Sequence, residues 1–320
     1  MEKMKAVICT RYGPPEVLHL SEVEKPRPRN NEVLIKIMAT AVTASDCIIR
    51  GFNMPGDPKF PMKQIMGLMM RFYVGFRKPK KPVLGLVLSG EIEAAGPDIK
   101  RFKKGDQVMA FTGYGFGAYA EYKCMFEKES KHGCLALKPD NMSHEEAASV
   151  SYGGILAIHY LRKMDIRKGQ KVLIYGASGA IGTMAVQIVN SYGAEVTGVC
   201  SAANMELVKS LGAGKVIDYT QEDASKKLEV YDYVLDAAGK NKSSALKIEA
   251  KKALVQKGKY ISVDDGLLEL RSEYFIQLKE LVESGKIRAV TDKTFPLDQI
   301  VEAHRYVDTG HKKGNVVIRV

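Results

Sequence analysis

Tryptophan is absent from this chain of 320 residues, and the five cysteines, at positions 9, 47, 124, 134 and 200, are odd in number with no Cys-x-x-Cys spacing. That pattern excludes a disulfide framework and reads as reduced thiols. Cys124, His132 and Cys134 lie close together in sequence. They lack a nearby fourth ligand and match no common zinc module, so they read as packing residues rather than a structural metal site. No run approaches the ~18 continuous apolar residues of a membrane span. The opening "MEKMKAVICTRYG" has no sustained apolar core of a signal peptide. The expectation is a cytoplasmic protein with no membrane partner. A net charge of +11 favours anionic partners in general, but no basic block is interleaved with aromatics. The excess reads as a solvated surface, and nucleic acid is not expected as a main partner.

What is present points to two domains, since 320 residues with 45% hydrophobic content exceed one small core. Up to about residue 140 short apolar runs such as "KAVICT", "VLIKIMATAV" and "DQVMAFT" alternate with turns such as "YGPP" and "KKGD". This predicts an all-β module, a partly open barrel. The stretch 54–82, rich in methionine and aromatics, interrupts it. It reads either as a surface loop with a short helix or as an adaptable wall over an apolar substrate. From Ser143, an N-cap followed by acids, the texture changes to strands alternating with helices, including one over residues 244–258. Such alternation predicts a doubly wound parallel sheet. The final helix and strand, after the alternation ends, are expected to return to the first domain.

The chemistry centres on "KVLIYGASGAIGTMAVQIV", residues 171–189. A glycine-rich turn alone is weak, because turns collect glycine. Here a buried-strand run precedes it and an apolar-faced helix follows, with Ala177, Gly179 and Gly182 at the spacing of a dinucleotide turn. Gly179 admits a phosphate to the backbone and Gly182 lets helix pack on strand. The amides of Ala180 and Ile181, with Ser178 beside them, face the anion at the positive helix end. The next strand ends at Cys200 and Ser201, where NAD-binding chains place a carboxylate for the ribose hydroxyl. The missing acid permits a 2′-phosphate, so NADP(H) is expected rather than NAD(H).

The chain resembles the medium-chain dehydrogenases/reductases, in their zinc-independent quinone oxidoreductase branch. The likeness rests on "MKAVICTRYGPPEVLHLSEVEKPRP", "RFKKGDQV", "GAYAEY", "GQKVLIYGASGAIGTMAVQI", "VKSLGAGKVIDY" and "GKYISV", in the order expected over essentially the whole chain. It implies a chaperonin-10-like (GroES-like) barrel over 1–140 completed by 286–320, and a Rossmann domain over 141–285. The positions that hold catalytic zinc ligands in the alcohol dehydrogenase branch are here Thr43 and Gly85-Leu86-Val87. A hydroxyl and two aliphatic chains cannot replace the thiolate and imidazole that zinc takes at about 2.0 to 2.3 Å. No zinc is therefore expected, and the acceptor must be electrophilic by itself, a quinone or a conjugated enone or enal.

The resemblance places the catalytic pair on Thr43, a donor to a developing oxyanion, and Asp46, which orients the nicotinamide ribose or relays a proton. Read without it, Thr43 is a strand residue and Asp46 a helix N-cap. A family tyrosine falls on Ile48, and the threonine of "G-G-x-T-A" on Leu156; Tyr152 either compensates or packs. Asn204 stands where some relatives clasp the 2′-phosphate, and Tyr219 flanks the adenosine ribose. Ala237, Ala238 and Val263 line the nicotinamide side, and Asn315 replaces a frequent lysine. Only "DDGLLELR" separates "YISV" from "SEYFIQLKEL", so pairing two Rossmann sheets into a homodimer is less secure. The competing readings are a zinc-free alcohol dehydrogenase and a nucleotide-regulated RNA-binding protein.

Overall fold

The computed structural model describes residues 2–52, 68, 71, 72, 74–239 and 244–320. Residues 53–67, 69, 70 and 73, most of the methionine-rich stretch, lie outside the described residues. The first half begins with an antiparallel ribbon of β1 (Lys3–Cys9) and β2 (Leu18–Glu24). The long β3 (Glu32–Val42) runs into helix α1 (Ala44–Gly51), followed by β4 (Val87–Ala95), β5 (Gln107–Phe111), β6 (Tyr122–Phe126) and β7 (Cys134–Leu137). In β3, Val33, Ile35 and Ile37 face a buried apolar cluster with Leu88, Ile92 and Leu135, which its alternating sequence requires.

The second half runs α2 (His144–Leu161), β8 (Lys171–Tyr175), α3 (Ala180–Ser191), β9 (Glu195–Cys200), α4 (Met205–Ser210) and β10 (Lys215–Asp218). It continues through β11 (Tyr231–Asp236), α5 (Ala245–Lys252), β12 (Leu254–Ser262) and α6 (Ser272–Glu283). The five strands are parallel in the order β10-β9-β8-β11-β12. β8 is central, and Val172, Leu173, Ile174 and Tyr175 are all buried because helices cover both faces. The sheet stops at β12, with no sixth strand among the described residues.

The chain ends with β13 (Thr291–Pro296), α7 (Ile300–Asp308) and β14 (Asn315–Arg319). β14 lies antiparallel to β3, with Val316 opposite Val42, so the sheet of the first half takes the order β13-β14-β3-β4-β5-β7.

One helix is shorter than its sequence suggests. The run expected as helix over 244–258 leaves that state after Lys252, and β12 starts at Leu254. Leu254 pairs with Tyr231, the register shifts, and pairing resumes between Lys259 and Tyr233. The open side of β11 needs hydrogen-bond partners, and that demand outweighs local helix preference.

Helix α2 joins the halves. Ser143 accepts from the Glu146 amide at 3.2 Å while the Glu146 carboxylate accepts from the Ser143 amide at 2.9 Å, closing the first turn. From Ala147 to Leu161 every residue is buried, as a helix apolar on all sides must be. It packs on α3 and α6 on one side and on β3, β4 and β14 on the other. A Cβ on Gly153 would stand 2.1 Å from the Ala180 carbonyl oxygen, so only glycine lets α2 abut the start of α3. Tyr152 is thereby held beside the glycine turn.

Candidate active site

The glycine turn closes against its own strand. A Cβ on Gly182 would stand 2.1 Å from the Gly176 carbonyl oxygen, whereas one on Gly179 would meet nothing nearer than 3.5 Å. Gly182 thus serves helix–strand contact, and Gly179 borders open space. Gly179 is the N-cap of α3, no side chain caps that helix, and its first bond runs from the Thr183 amide to the Gly179 carbonyl at 2.9 Å. The amides of Ala180, Ile181 and Gly182 are left without an acceptor among the described residues. Unsatisfied amides at a helix start suit a diphosphate.

At the end of β9, Cys200 is buried and its thiol is pushed up to about 11 by that burial, so it carries no charge at neutral pH. Asn204 donates to the Ser178 hydroxyl at 3.1 Å and to the Ser201 hydroxyl at 3.3 Å. Its own Oδ1 is buried and has no partner. Asp218 sits opposite Cys200 on β10, but its carboxylate is taken up by the Thr220 amide and hydroxyl and the Gln221 amide group. The Tyr219 amide donates to the Cys200 carbonyl at 3.1 Å, and its exposed ring lies 6.5 Å from that of Tyr175.

Ala237 and Ala238 follow β11 and are half-buried. Their turn hangs on Asp236, which the sequence reading missed although an acid at the end of a buried strand was the signal. Its Oδ1 accepts from the Ala238 and Gly239 amides at 3.2 Å each, and its Oδ2 from the Tyr260 hydroxyl and the Lys247 ammonium at 2.9 Å. The Val263 amide donates to the Asp236 carbonyl at 3.0 Å, and the Val263 carbonyl accepts from the Tyr160 hydroxyl.

Asn315 requires a correction. It is buried, and its amide donates to the Val290 carbonyl at 3.4 Å, so its side chain is turned into the protein. Its neighbour Gly314 meets the turn instead, its amide donating to the Ser178 carbonyl at 2.8 Å. That contact ties the tail of the chain to the glycine turn.

Thr43 and Asp46 form the capping box of α1, a structural role in place of the two expected of them. Thr43 is the N-cap of α1 and Asp46 the third residue of its first turn. The Thr43 hydroxyl donates to Asp46 Oδ2 at 2.6 Å and accepts from the Asp46 amide at 3.1 Å, while the Thr43 amide donates to Oδ2 at 2.9 Å. The Thr43 proton is therefore spent inside the protein. Both side chains are buried, Asp46 completely. Burial outweighs the Thr43 hydrogen bonds and pushes the Asp46 carboxyl up to about 6.

The cleft-facing residue of α1 is Ser45, which no motif marked. It is half-buried, and its hydroxyl lies 2.6 Å from that of Tyr152. Tyr152 also stacks on Phe111 at 6.0 Å, so it both packs and presents its hydroxyl. Burial pushes its phenol up to about 12, so it keeps its proton at neutral pH. In such a pair one hydroxyl donates to the other, and the second proton is free for an oxygen arriving in the cleft. The acceptorless amides of α3 fit a nicotinamide dinucleotide, which Gly179 to Gly182, Ser178, Ser201 and Asn204 would hold. When bound in reduced form that group supplies a hydride.

Fold and site together define a two-domain nicotinamide-dependent oxidoreductase. Residues 29–139 match the alcohol dehydrogenase GroES-like domain, and residues 180–263 and 265–318 match two families described as zinc-binding dehydrogenase. The chain is 30% identical over 375 residues to "NAD(P)H oxidoreductase RTN4IP1, mitochondrial" of Mus musculus, covering 99% of this chain and 89% of that one. It is 31% identical over 337 residues to "2-methylene-furan-3-one reductase" of Solanum lycopersicum, covering 99% and 79%. The solved quinone oxidoreductase of Coxiella burnetii superposes with a TM-score of 0.83 at 27% identity, covering 100% of both chains. The chain belongs to the medium-chain dehydrogenase/reductase family, in its quinone-oxidoreductase-like branch, and is an NAD(P)H oxidoreductase. No helix among the described residues is long and apolar enough to cross a membrane.

Proposed function

We propose that the protein reduces conjugated enones and quinones with NADPH and without a metal ion. The observation that carries this reading is the Ser45–Tyr152 hydroxyl pair, 2.6 Å apart, beside the uncapped start of α3. Two hydroxyls stabilise the delocalised anion left by hydride addition to a conjugated carbonyl. The names of the tomato and Coxiella proteins, an enone reductase and a quinone oxidoreductase, agree with that acceptor class. The metal-free part rests on residue chemistry, since buried Thr43, Leu86 and Val87 offer neither thiolate nor imidazole. The NADPH preference rests on Ser178, Ser201 and Asn204, which offer donors and no carboxylate where a 2′-phosphate would lie. Five unpaired thiols suit a reducing compartment such as the cytoplasm.

The test is oxidation of NADPH with a panel of quinones, enones and enals, with and without a chelator. Oxidation that the chelator leaves unchanged is expected. Cofactor binding without turnover of any acceptor defeats the activity, and chelator sensitivity or oxidation of simple alcohols alone defeats the metal-free enone reading. Combining Ser45→Ala with Tyr152→Phe is expected to lower kcat about 100-fold while leaving cofactor affinity intact. Ser201→Asp is expected to weaken NADPH about tenfold against NADH, and equal binding of both by the unaltered protein overturns the preference.

A further inference from the structure

A second cavity, of about 140 Å³, lies outside the dinucleotide cradle and is lined by Val74, Lys80, Lys81, Tyr114, Phe116, Lys131 and His132. Three lysines and a histidine face it, and no aspartate or glutamate does among the described residues. Lys123 stands close behind, with only a 3.4 Å bond to the Gly115 carbonyl. Among the described residues Lys81, Lys123 and Lys131 make no ion pair, whereas Lys25, Lys171 and Lys247 each have a carboxylate. His132 Nδ1 is buried without a partner among the described residues. The groups also repel one another: burial and the charges of Lys81, Lys131 and Lys123 hold the His132 imidazole below its ordinary value, and burial with Lys81 pushes Lys123 down to about 8.

The wall is built to this shape. In "GYGFG", residues 113–117, a Cβ on Gly113 would stand 2.6 Å from the Lys131 carbonyl oxygen and one on Gly115 2.7 Å from that of His132. Glycine thus presses the loop flat against Lys131 and His132. Phe116 accordingly takes φ 43° and ψ −159°, a backbone conformation that non-glycine residues rarely adopt and that concentrates at functional sites. Phe116 belongs to the same apolar cluster as Phe111, which stacks on Tyr152. Its volume is about ten times what one water needs.

We propose that this cavity binds a carboxylate or phosphate group, which supplies the negative charge that Lys81, Lys131 and His132 lack. The source is the acidic end of a substrate whose conjugated carbonyl sits at Ser45 and Tyr152, and that part rests on the function proposed above. A hollow lined by lysines without carboxylate partners concentrates such anions.

The test follows the ring signals of His132 in the histidine-labelled full-length protein, assigned by their loss in His132→Gln, during titration with inorganic phosphate and separately with acetate at constant ionic strength. Saturable movement is expected, weakened about tenfold or more in Lys81→Met/Lys131→Met. No saturable movement, or equal affinity in the unaltered and altered proteins, overturns the proposal. A linear enone ending in a carboxylate is then compared with its methyl ester. A kcat/KM ratio of about ten that collapses in the double variant assigns the anion to the substrate; a ratio near one with intact phosphate binding assigns the cavity to a free anion. If no acceptor is reduced at all, the titration still stands, so the two readings fail separately.

Discussion

Two helices begin near Tyr152, and their first turns are built in opposite ways. At α1 the Thr43 hydroxyl and Asp46 Oδ2 bond to each other and to the Thr43 and Asp46 amides in the interior, and Asp46 Oδ1 is buried without a partner among the described residues. At α3 the N-cap is Gly179, which has no side chain to offer, and three amides face outward without acceptors. A helix start that satisfies itself holds the fold together, whereas one left open is available to a ligand. The family resemblance marked residues at both as functional, but only α1 has its first turn bonded by its own side chains, whereas α3 has no side-chain cap. At α1 the available donor is one residue along, on Ser45.

Breaking the α3 side has the largest expected effect. Gly182→Ala forces a methyl group toward backbone at 2.1 Å, which should cost about 3 kcal/mol and remove NADPH binding, read by thermal melting and calorimetry. A variant as stable and as tightly binding as the original would show that the turn relaxes freely and that close packing there is unimportant.

The α1 side is sharpened by pH. The Asp46 carboxyl rises from 3.8 to about 6 on folding, so the stability it contributes below pH 4 is lost as pH climbs through 6. Against Asp46→Asn, the unaltered protein should lose about 2 kcal/mol between pH 4 and pH 7 in chemical denaturation. Parallel profiles would mean that Asp46 is not held in a medium that disfavours its charge.

Thr43→Ala separates a cap from a catalyst. Loss of the cap should lower stability by about 1 to 2 kcal/mol and leave kcat within about twofold. A fall of about 100-fold in kcat at unchanged stability would restore Thr43 as a donor to substrate. Smallest in stability is Gly179→Ala, where the space is open: about 1 kcal/mol or less, with NADPH weakened about tenfold. Unchanged affinity would argue that the diphosphate lies elsewhere.

These contrasts explain why some of the site could be read in advance. The turn from Ser178 to Gly182 was legible because strand, glycine spacing and helix are neighbours in sequence, and the missing acid at Cys200 lies only one strand further on. Asp236 was missed because its partners Lys247 and Tyr260 come from different elements. Ser45 and Tyr152 are 107 positions apart and meet only in the folded chain, where α1 comes against α2. Asn315 was misjudged because its place in a strand says nothing about whether its amide faces the cleft or Val290.

Local chemistry by itself determined the two fold classes, the return of the tail and the dinucleotide turn, since each follows from periodicity or from residues within one strand–turn–helix unit. Which hydroxyls face the cleft, which carboxylate is spent as a cap and where unpaired lysines gather were decided only by the tertiary structure. Those properties depend on burial and on long-range partners, which close packing assigns and adjacency along the chain does not.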